Sequence, residues 1–518
     1  MMKKFGAGFV LALCVLVSTA VLAEDGLTVW TAQGVAHGKT INNGRVKAFL
    51  GLPYAAPPVG ELRWRAPEPA AHWKGVREAT EFGARCAQNQ LFPDMRFQDA
   101  GPSEDCLFLN VYAPADATAA SKLPVMFWIH GGGYESGASS EPRHNGDFLP
   151  LKGVVLVTIN YRLGVFGFLA SESLAKEQGG TAGNYGLMDM IAALHWTRDN
   201  IAAFGGNPEN VTIFGESAGS FAVSTLMASP EAKGLFEKAI GESGGAFSGA
   251  LSVDKAAMQE KKDEQWVQSL GVKSLAELRA MPVDALLKAA KDRKGGFDVV
   301  IDGKVLTESV EKSYADGRQA HLPLLAGWNR DEGSFFAAGV TAEKFRANAG
   351  ELYKENAPEF LKLYPAANDA EALRSAVDFG GDMFIAFSTW KWIEAQRKTG
   401  EAPVYRYHFE LAAPVSKFVK VPAAFHSDEI EYVFGTLDTR EGAVWRPEDR
   451  KLSEEMMGYW TNFARTGDPN GAGLPEWPRY GAGDEIIHLD EKISAGADPY
   501  KARYEFLMKY GLPKFGGD

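Results

Sequence analysis

The stretch Val211-Thr-Ile-Phe-Gly-Glu-Ser-Ala-Gly219 joins an apolar run to a segment that favours a helix. Val211–Phe214 has strand character, and Ala218–Met227 consists mainly of small and apolar residues compatible with a helix. Between them, the spacing Gly-x-Ser-x-Gly is typical of a sharp strand-to-helix turn that exposes its serine. The glycines let chain segments approach where a side chain would clash. The sequence therefore predicts a strand, a tight turn carrying Ser217, and a helix.

The same spacing occurs a second time, in Gly241-Glu-Ser243-Gly-Gly245. The residues that follow Ser243 are rich in glycine and form a poor helix, so this site lacks the context of the first. We predict that Ser217 is the nucleophile of the two. The alternative is a glycine-rich turn in which the serine has no chemical role.

Apolar runs with strand character alternate with segments of helical spacing. In Leu187–Phe204, apolar residues recur three and four positions apart, as in a helix that packs one face on a core. Strands and helices in alternation favour a mostly parallel sheet with helices on both faces. The predicted strands are Val125–Ile129, Val154–Ile159, Val211–Phe214, Leu322–Ala326, Val404–Phe409 and Ile486–Leu489.

Two long segments, residues 251–320 and 341–400, are charged and helix-forming, as in Lys255–Leu270 and Ala342–Leu363. No linker-like stretch separates them from the rest of the chain. We interpret them as helical insertions into one α/β domain that spans residues 24–518.

The composition places the chain among ordinary globular proteins. Of 518 residues, 46% are hydrophobic and 23% are charged, which argues against a disordered protein. The formal net charge is −12, and nucleic-acid binding needs a basic surface, so we expect no nucleic-acid partner.

Residues 1–23 have the pattern of a signal peptide. Lys3 and Lys4 precede an apolar stretch that ends in Val21-Leu-Ala23, with small side chains where a signal peptidase cleaves. We predict that the protein is exported, to the periplasm or the medium, and that the mature chain starts at Glu24 without a membrane span. The alternatives are a retained membrane anchor or lipidation at Cys14.

Two cysteines remain in the mature chain, Cys86 and Cys106. An even number in an exported protein favours a disulfide, and two free buried thiols are the alternative. Two cysteines are too few for a thiolate zinc site, and the sequence contains no HExxH or EF-hand pattern. We expect neither a metal nor a cofactor.

The triplet Gly131-Gly-Gly133 follows His130 at the end of the predicted strand Val125–Ile129. A glycine triplet leaves its backbone N–H groups uncovered, and such groups stabilise the oxyanion of an acyl-transfer intermediate. We predict that Gly132, Gly133 and the N–H of Ala218 form an oxyanion hole. An ordinary glycine-rich turn is the alternative.

A serine nucleophile needs a base, and the base needs an orienting carboxylate. Among the histidines after Ser217, His426 lies in a polar loop after the strand Val404–Phe409, whereas His408 and His488 lie inside predicted strands. His321 precedes the strand that the acid would follow, so His426 is the preferred base. After Leu322–Ala326 both Asp331 and Glu332 are available as the acid, and local reasoning does not separate them.

These elements together resemble the type B carboxylesterases, which include the cholinesterases and bacterial para-nitrobenzyl esterases. The resemblance covers nearly the whole mature chain. It rests on Phe49-Leu-Gly-Leu-Pro-Tyr-Ala-Ala-Pro-Pro-Val-Gly-Glu-Leu-Arg63, Ser103–Asn110, His130–Gly133, Gly183–Asp189, Phe204–Pro208, Gly215–Gly219 and Asp331–Gly333.

The resemblance implies an α/β-hydrolase fold, in which helical insertions form a gorge, and a serine hydrolase of small-molecule carboxylic esters. It assigns the acid to Glu332 and the base to His426, shortly before Glu-Ile-Glu-Tyr-Val-Phe-Gly435. It implies supporting roles for Glu216, before the nucleophile, and for Ser243 and Glu429 as a buried polar pair. It also matches Cys86 and Cys106 to the family's first disulfide loop.

The chain departs from the cholinesterases inside that loop. Between Cys86 and Cys106 there is no choline-binding tryptophan, only Phe92 and Phe97, so a choline ester is not the expected substrate. A non-catalytic adhesion module on the same fold, or hydrolysis of an amide, lactone or carbamate, remain as alternatives. Aromatic residues that are candidates for the substrate pocket, or for ordinary core packing, are Phe335, Phe336, Phe384, Phe387 and Trp390.

Overall fold

The computed structural model describes residues 26–247, 254–293, 295–481 and 483–513. The predicted signal peptide, residues 1–23, and Cys14 lie outside the described residues. The strands are β1 Thr28–Thr31, β2 Gly34–His37, β3 Lys39–Ile41, β4 Val46–Pro53, β5 Val76–Glu78, β6 Arg85–Cys86, β7 Pro102–Ser103, β8 Phe108–Pro114, β9 Leu123–Ile129, β10 Val155–Ile159, β11 Gly206–Glu216, β12 Lys238–Glu242, β13 Asp254–Lys255, β14 Val300–Ile301, β15 Leu324–Asn329, β16 Val404–Phe409, β17 Glu485–Leu489 and β18 Ser494–Ala497.

The α-helices are α1 Gly164–Phe168, α2 Glu172–Gln178, α3 Tyr185–Asn200, α4 Ala218–Ala228, α5 Ala256–Ser269, α6 Leu275–Ala280, α7 Val283–Lys291, α8 Val310–Ala315, α9 Ala342–Tyr353, α10 Ala357–Leu363, α11 Asp369–Gly381, α12 Phe387–Thr399, α13 Ile430–Phe434, α14 Pro447–Thr466 and α15 Lys501–Tyr510. Short 3-10 turns include Pro142–His144 and Ser334–Phe336, and Asp382–Ala386 forms a π-helical turn between α11 and α12.

The main sheet has the strand order β18-β17-β16-β15-β12-β11-β9-β10-β8-β4-β3 within the described residues. The strands from β17 to β10 pair in parallel, and the pairs at both edges are antiparallel. A central parallel sheet of this kind needs helices on both faces. The fold predicted from the sequence, an α/β-hydrolase with a mostly parallel sheet, is confirmed.

Both faces of the sheet are covered by apolar clusters. Along β9, Phe127 and Ile129 belong to one cluster, whereas Met126 and Trp128 belong to the other. This alternation follows from the period of two along a strand. The first cluster includes side chains of α3, α4 and α12, and the second includes side chains of α13 and α14.

The predicted elements recur with shifted ends. Strand β11 begins at Gly206 rather than Val211, and β15 runs from Leu324 to Asn329, past the predicted end at Ala326. The helix-forming stretch Ala342–Leu363 contains two helices, α9 and α10. Pro358 lies in the first turn of α10. If α9 continued through this position without a break, the proline ring would clash with the backbone carbonyl four residues earlier.

The parallel strands carry the predicted site residues at their carboxyl ends. Gly131–Gly133 follow β9, Ser217 follows β11 and Glu332 follows β15. This edge is where α/β sheets build their binding sites. In the described part of the chain, no helix is long and apolar enough to cross a membrane.

Candidate active site

Ser217 lies at the turn between β11 and α4 with φ 54° and ψ −123°. This positive φ is rare for a residue with a side chain, and a strained turn of this kind holds the serine hydroxyl away from its own strand. A Cβ on Gly219 would lie 2.0 Å from the carbonyl oxygen of Ile129, and one on Gly215 would lie 2.6 Å from the same atom. Both glycines are therefore required for the turn to pack on β9.

Ser217, His426 and Glu332 form a continuous hydrogen-bonded line. The Ser217 Oγ lies 2.8 Å from His426 Nε2, and His426 Nδ1 lies 2.6 Å from Glu332 Oε2. The other oxygen of Glu332 accepts a hydrogen bond of 2.9 Å from the backbone N–H of Asn329. Because Glu332 is only 1% exposed, its carboxylate is fixed in place and shielded from solvent.

The neighbouring carboxylate, Asp331, has a different set of partners. Its Oδ2 accepts a hydrogen bond of 2.9 Å from the N–H of Ala424, and its own N–H donates to the Ala424 carbonyl. Its Oδ1 accepts from Arg374 Nη1 at 2.5 Å. Asp331 thus anchors the loop that carries His426, while Glu332 contacts the imidazole itself.

The glycine triplet lies directly against Ser217. A Cβ on Gly131 would lie 2.6 Å from the Glu216 carbonyl oxygen and 3.0 Å from the Ser217 Cβ. Gly132 and Gly133 both have positive φ, 102° and 66°. Among the described residues, no backbone carbonyl accepts a hydrogen bond from either N–H. Ala218 is the first residue of α4, where N–H groups have no partner within the helix.

The residues assigned supporting roles cluster behind His426. The Ser243 hydroxyl donates to Glu429 Oε1 at 3.2 Å, and Asn329 Nδ2 donates to Glu429 Oε2 at 2.5 Å. Glu216 Oε1 lies 3.3 Å from His426 Nε2. Asn329, which joins Glu332 to Glu429, was not singled out from the sequence because no motif marks it.

These buried carboxylates and the imidazole shift one another's protonation. Burial alone would lower the pKa of His426, but the charges of Glu216 and Glu332 outweigh it and raise the pKa to about 9. Burial raises the pKa of Glu216 to about 8 and the pKa of Glu429 to about 7. The imidazolium is therefore the favoured product of any proton transfer to His426.

A cavity of about 650 Å³ opens beside Ser217 and His426. Its volume is in the range of small-molecule sites. Phe335 and Phe384 line it, whereas Phe387 and Trp390 are buried in the core. The other lining residues are Phe92, Pro93, Asp94, Met95, Gly132, Gly133, Arg143, Glu216, Phe221, Ile385, Phe418, Val419, Phe425 and Ser427. Most of these were missed because they come from segments with no motif.

Cys86 and Cys106 are joined in a disulfide. The segment between them supplies part of the cavity wall, including Phe92 and Met95. The disulfide therefore ties down a loop that faces the candidate nucleophile.

Three potential metal ligands also come together away from Ser217. In the part of the chain that the structure describes, ligand atoms of His408, Glu410 and His488 lie within 4.8 Å of one another. The Nδ1 atoms of the two histidines lie 2.8 Å and 2.6 Å from the same oxygen, Glu410 Oε1. These hydrogen bonds explain why the three residues lie together: Glu410 links His408 of β16 to His488 of β17.

Comparison with known proteins gives a consistent result. The profile of the carboxylesterase family matches residues 25–507. The para-nitrobenzyl esterase of Bacillus subtilis (strain 168) is 38% identical over 502 residues, which are 93% of this chain and 98% of that protein. The fumonisin B1 esterase of Sphingopyxis macrogoltabida is 34% identical over 493 residues, 90% of this chain and 87% of that protein.

A solved structure of a thermophilic PNB esterase superposes with a TM-score of 0.80 at 36% identity, covering 93% of this chain and all of that one. The family predicted from the sequence motifs is thereby confirmed. The chain belongs to the carboxylesterase family and is an enzyme of the serine carboxylic-ester hydrolase class.

Proposed function

We propose that this protein hydrolyses small-molecule carboxylic esters through a Ser217–His426–Glu332 triad and an acyl-enzyme intermediate. The observation that carries the proposal is the continuous line of hydrogen bonds from Ser217 through His426 to Glu332 at the wall of a largely apolar cavity. Nucleophile, base and orienting acid are the parts that the chemistry requires.

In the first half-reaction, His426 Nε2 takes the proton of the Ser217 hydroxyl as Oγ attacks the ester carbonyl carbon. The carbonyl electron pair moves onto oxygen, and the N–H groups of Gly132, Gly133 and Ala218 stabilise that charge. Collapse of the intermediate breaks the ester C–O bond, and the alcohol leaves with the proton from His426.

In the second half-reaction, His426 takes a proton from water, and the hydroxide attacks the acyl-enzyme. The acid is released, and Ser217 recovers its proton. Glu332 orients the imidazole throughout and stabilises its charged form. These steps need no cofactor or metal.

The test is hydrolysis of p-nitrophenyl esters over a range of acyl lengths. We expect turnover by the wild type and a loss of about a thousandfold or more in kcat for Ser217→Ala. The matched control is Ser243→Ala, which changes the serine of the second Gly-x-Ser-x-Gly. An organophosphate should label Ser217 in the control variant and nothing in Ser217→Ala.

Retained turnover in Ser217→Ala would contradict the proposed nucleophile. If the wild type showed neither turnover nor labelling, a binding or adhesion module would be favoured. If it were labelled but hydrolysed no ester in the panel, amides, lactones and carbamates would be tested next.

Export is part of the proposal. Removal of residues 1–23 as a signal peptide is supported by Lys3, Lys4 and the small residues that end at Ala23, and by the Cys86–Cys106 disulfide, which suits an oxidising compartment. The amino-terminal sequence of the protein from the periplasm or medium should begin at Glu24. One domain over residues 24–518 is supported by a main sheet that uses strands from β3 to β18, and limited proteolysis should find no stable fragment.

A further inference from the structure

The cavity beside Ser217 contains an arginine that the triad chemistry does not use. Arg143 lies on the 3-10 turn Pro142–His144 and lines the cavity together with Ser217 and His426. The hydroxyl of Thr436 donates a hydrogen bond of 2.9 Å to the Arg143 carbonyl, which fixes the backbone. The Arg143 side chain is 14% exposed.

The guanidinium of Arg143 has spare donors. Its Nε donates to Glu141 Oε2 at 2.9 Å. Within the described residues, no protein acceptor forms a hydrogen bond with Nη1 or Nη2. Nearby Arg440 differs, because its Nη1 donates to Asp428 and its Nη2 donates to Glu431.

Four carboxylates act on the charge of Arg143, and two of them, Glu431 and Glu216, have another basic neighbour. Glu431, one of its electrostatic neighbours, is 2.7 Å from Arg440 Nη2. Glu216 lies 3.3 Å from His426 Nε2. Glu141 is held by the Nε edge of Arg143, and Asp94, which also lines the cavity, is exposed to solvent. The Nη edge of Arg143 therefore remains available for an anion.

The rest of the cavity is mostly apolar. Apart from the His426 imidazole, Arg143 is the one cationic side chain among the described residues that line it. A planar guanidinium binds a carboxylate through two parallel hydrogen bonds, and such charge-assisted bonds are strong where water is excluded. A ligand that satisfies this site combines an apolar body with one carboxylate.

We infer that the substrates of this enzyme are esters that carry a free carboxylate in addition to the ester group, and that Arg143 binds this carboxylate through Nη1 and Nη2. The inference rests on the proposed function, since the ester carbonyl must reach Ser217. It also agrees with the expectation that a choline ester is not the substrate, because a fixed guanidinium in the cavity repels a quaternary ammonium group.

Two matched pairs of esters test the inference and locate the carboxylate. On the acyl side, mono-p-nitrophenyl adipate is compared with its methyl ester, methyl p-nitrophenyl adipate. On the alcohol side, 3-carboxyphenyl butyrate is compared with 3-(methoxycarbonyl)phenyl butyrate. The ratio of kcat/KM for the anionic over the neutral member should be well above one in at least one pair, and that pair identifies the side.

The variant Arg143→Gln should lower this ratio by about ten- to a hundredfold, as expected for hydrogen bonds to a charged group. Because Arg143→Gln leaves Glu141 without its partner, the double variant Glu141→Gln/Arg143→Gln is measured as well and should lower the ratio equally. Arg198→Gln is the matched control: the Arg198 side chain is 49% exposed, lies outside the cavity lining and should leave the ratio unchanged.

A binding measurement separates the inference from the proposed function. By calorimetry, Ser217→Ala should bind monomethyl adipate about tenfold more tightly than dimethyl adipate, and introducing Arg143→Gln should remove the difference. Equal binding of the two, or an unchanged ratio in both arginine variants, would overturn the inference. If neutral esters are hydrolysed without any preference for anionic ones, the inference fails and the proposed function stands. If no ester is hydrolysed, the proposed function fails and the calorimetry still decides the inference.

Discussion

At the scale of single residues, His426 lies between two glutamate carboxylates that contact different nitrogens of its ring. Glu332 bonds to its Nδ1, and Glu216 approaches its Nε2, the atom that also faces Ser217. Glu332 orients the ring through its hydrogen bond, whereas the charge of Glu216 raises the pKa of the imidazole. The two carboxylates should therefore give different phenotypes when each is replaced by its amide.

Glu216→Gln should move the acidic limb of the kcat/KM profile to lower pH by about one unit. The charge of Glu216 helps to raise the pKa of His426 to about 9, against the effect of burial, and the base must be neutral to take the serine proton. Removing the charge lowers that pKa, so the neutral base persists at lower pH. Profiles of wild type and variant with one neutral ester measure the shift, and a shift to higher pH would contradict it.

The same variant should also change how the free energy of unfolding depends on pH. Burial raises the pKa of Glu216 from 4.5 to about 8 in the folded chain, so folding favours the protonated carboxyl. The stability of the wild type relative to Glu216→Gln should then be highest below pH 4.5 and fall as the pH rises to about 8, by at most about 1.4 kcal/mol per unit. Urea unfolding across this range checks the slope.

Glu332→Gln and Asp331→Asn should separate catalysis from stability. Loss of the Glu332 carboxylate leaves His426 without its orienting acceptor, so kcat should fall by roughly a thousandfold with little change in folding. Loss of the Asp331 charge weakens its bond to Arg374 and its hold on the loop at Ala424, so stability should fall by about 1–3 kcal/mol. The measurements are kcat and urea unfolding for both variants. If Asp331→Asn lost activity and Glu332→Gln lost only stability, Asp331 would be the acid of the triad.

At the scale of elements, the turn between β11 and α4 depends on how closely α4 approaches β9. Gly219 lies in the first turn of α4, against the carbonyl of Ile129 at the end of β9. A strand end and a helix start can meet this closely only where no Cβ intervenes. The glycine is thus needed for the contact between two elements, and its own φ is not positive.

Gly219→Ala should lower stability by about 3 kcal/mol and reduce activity, because its Cβ would lie 2.0 Å from the Ile129 carbonyl oxygen. Gly350→Ala is the matched control in helix α9, where a new Cβ meets no atom within 4 Å. That exposed helical substitution should raise stability by about 0.5–1 kcal/mol. Equal effects of the two substitutions in urea unfolding would show that helix propensity, and not the contact with β9, decides.

At the scale of the whole molecule, the parallel sheet gathers segments that are far apart in sequence. Ser217 and His426 are 209 residues apart, and Glu332 is 94 residues from His426, yet all three meet at the carboxyl edge of one sheet. Part of the cavity wall comes from the loop closed by Cys86 and Cys106. The disulfide therefore connects global stability to the shape of the site.

Replacing both cysteines, Cys86→Ala/Cys106→Ala, should lower the free energy of unfolding by about 3 kcal/mol, since the bond closes a loop with a sequence separation of 20. The looser loop carries Phe92 and Met95, so KM for an apolar ester should rise more than kcat falls. Wild type treated with a reductant should behave like the double variant. Unchanged stability in both samples would show that the loop is held by its other contacts.

Local patterns in the sequence were sufficient for the fold class, the family and the turn that presents Ser217. The continuous apolar run in Val125–Ile129, the helical spacing in Leu187–Phe204 and the glycines around Ser217 each reflect forces between residues close in sequence. Element ends were less well determined, as in β11, which begins at Gly206 and not at the predicted Val211. The catalytic roles of Ser217, His426 and Glu332 are predictions that the variants above test.

Only the tertiary structure decided which side chains face one another. Sequence reasoning left Asp331 and Glu332 equivalent until the family was considered, and packing gives them different partners: Ala424 and Arg374 for the first, His426 for the second. It also turns Arg143 into the cavity, although no motif marks it. The physical reason is that a side chain's direction depends on how distant segments pack, whereas strands, helices and turns follow from neighbours along the chain.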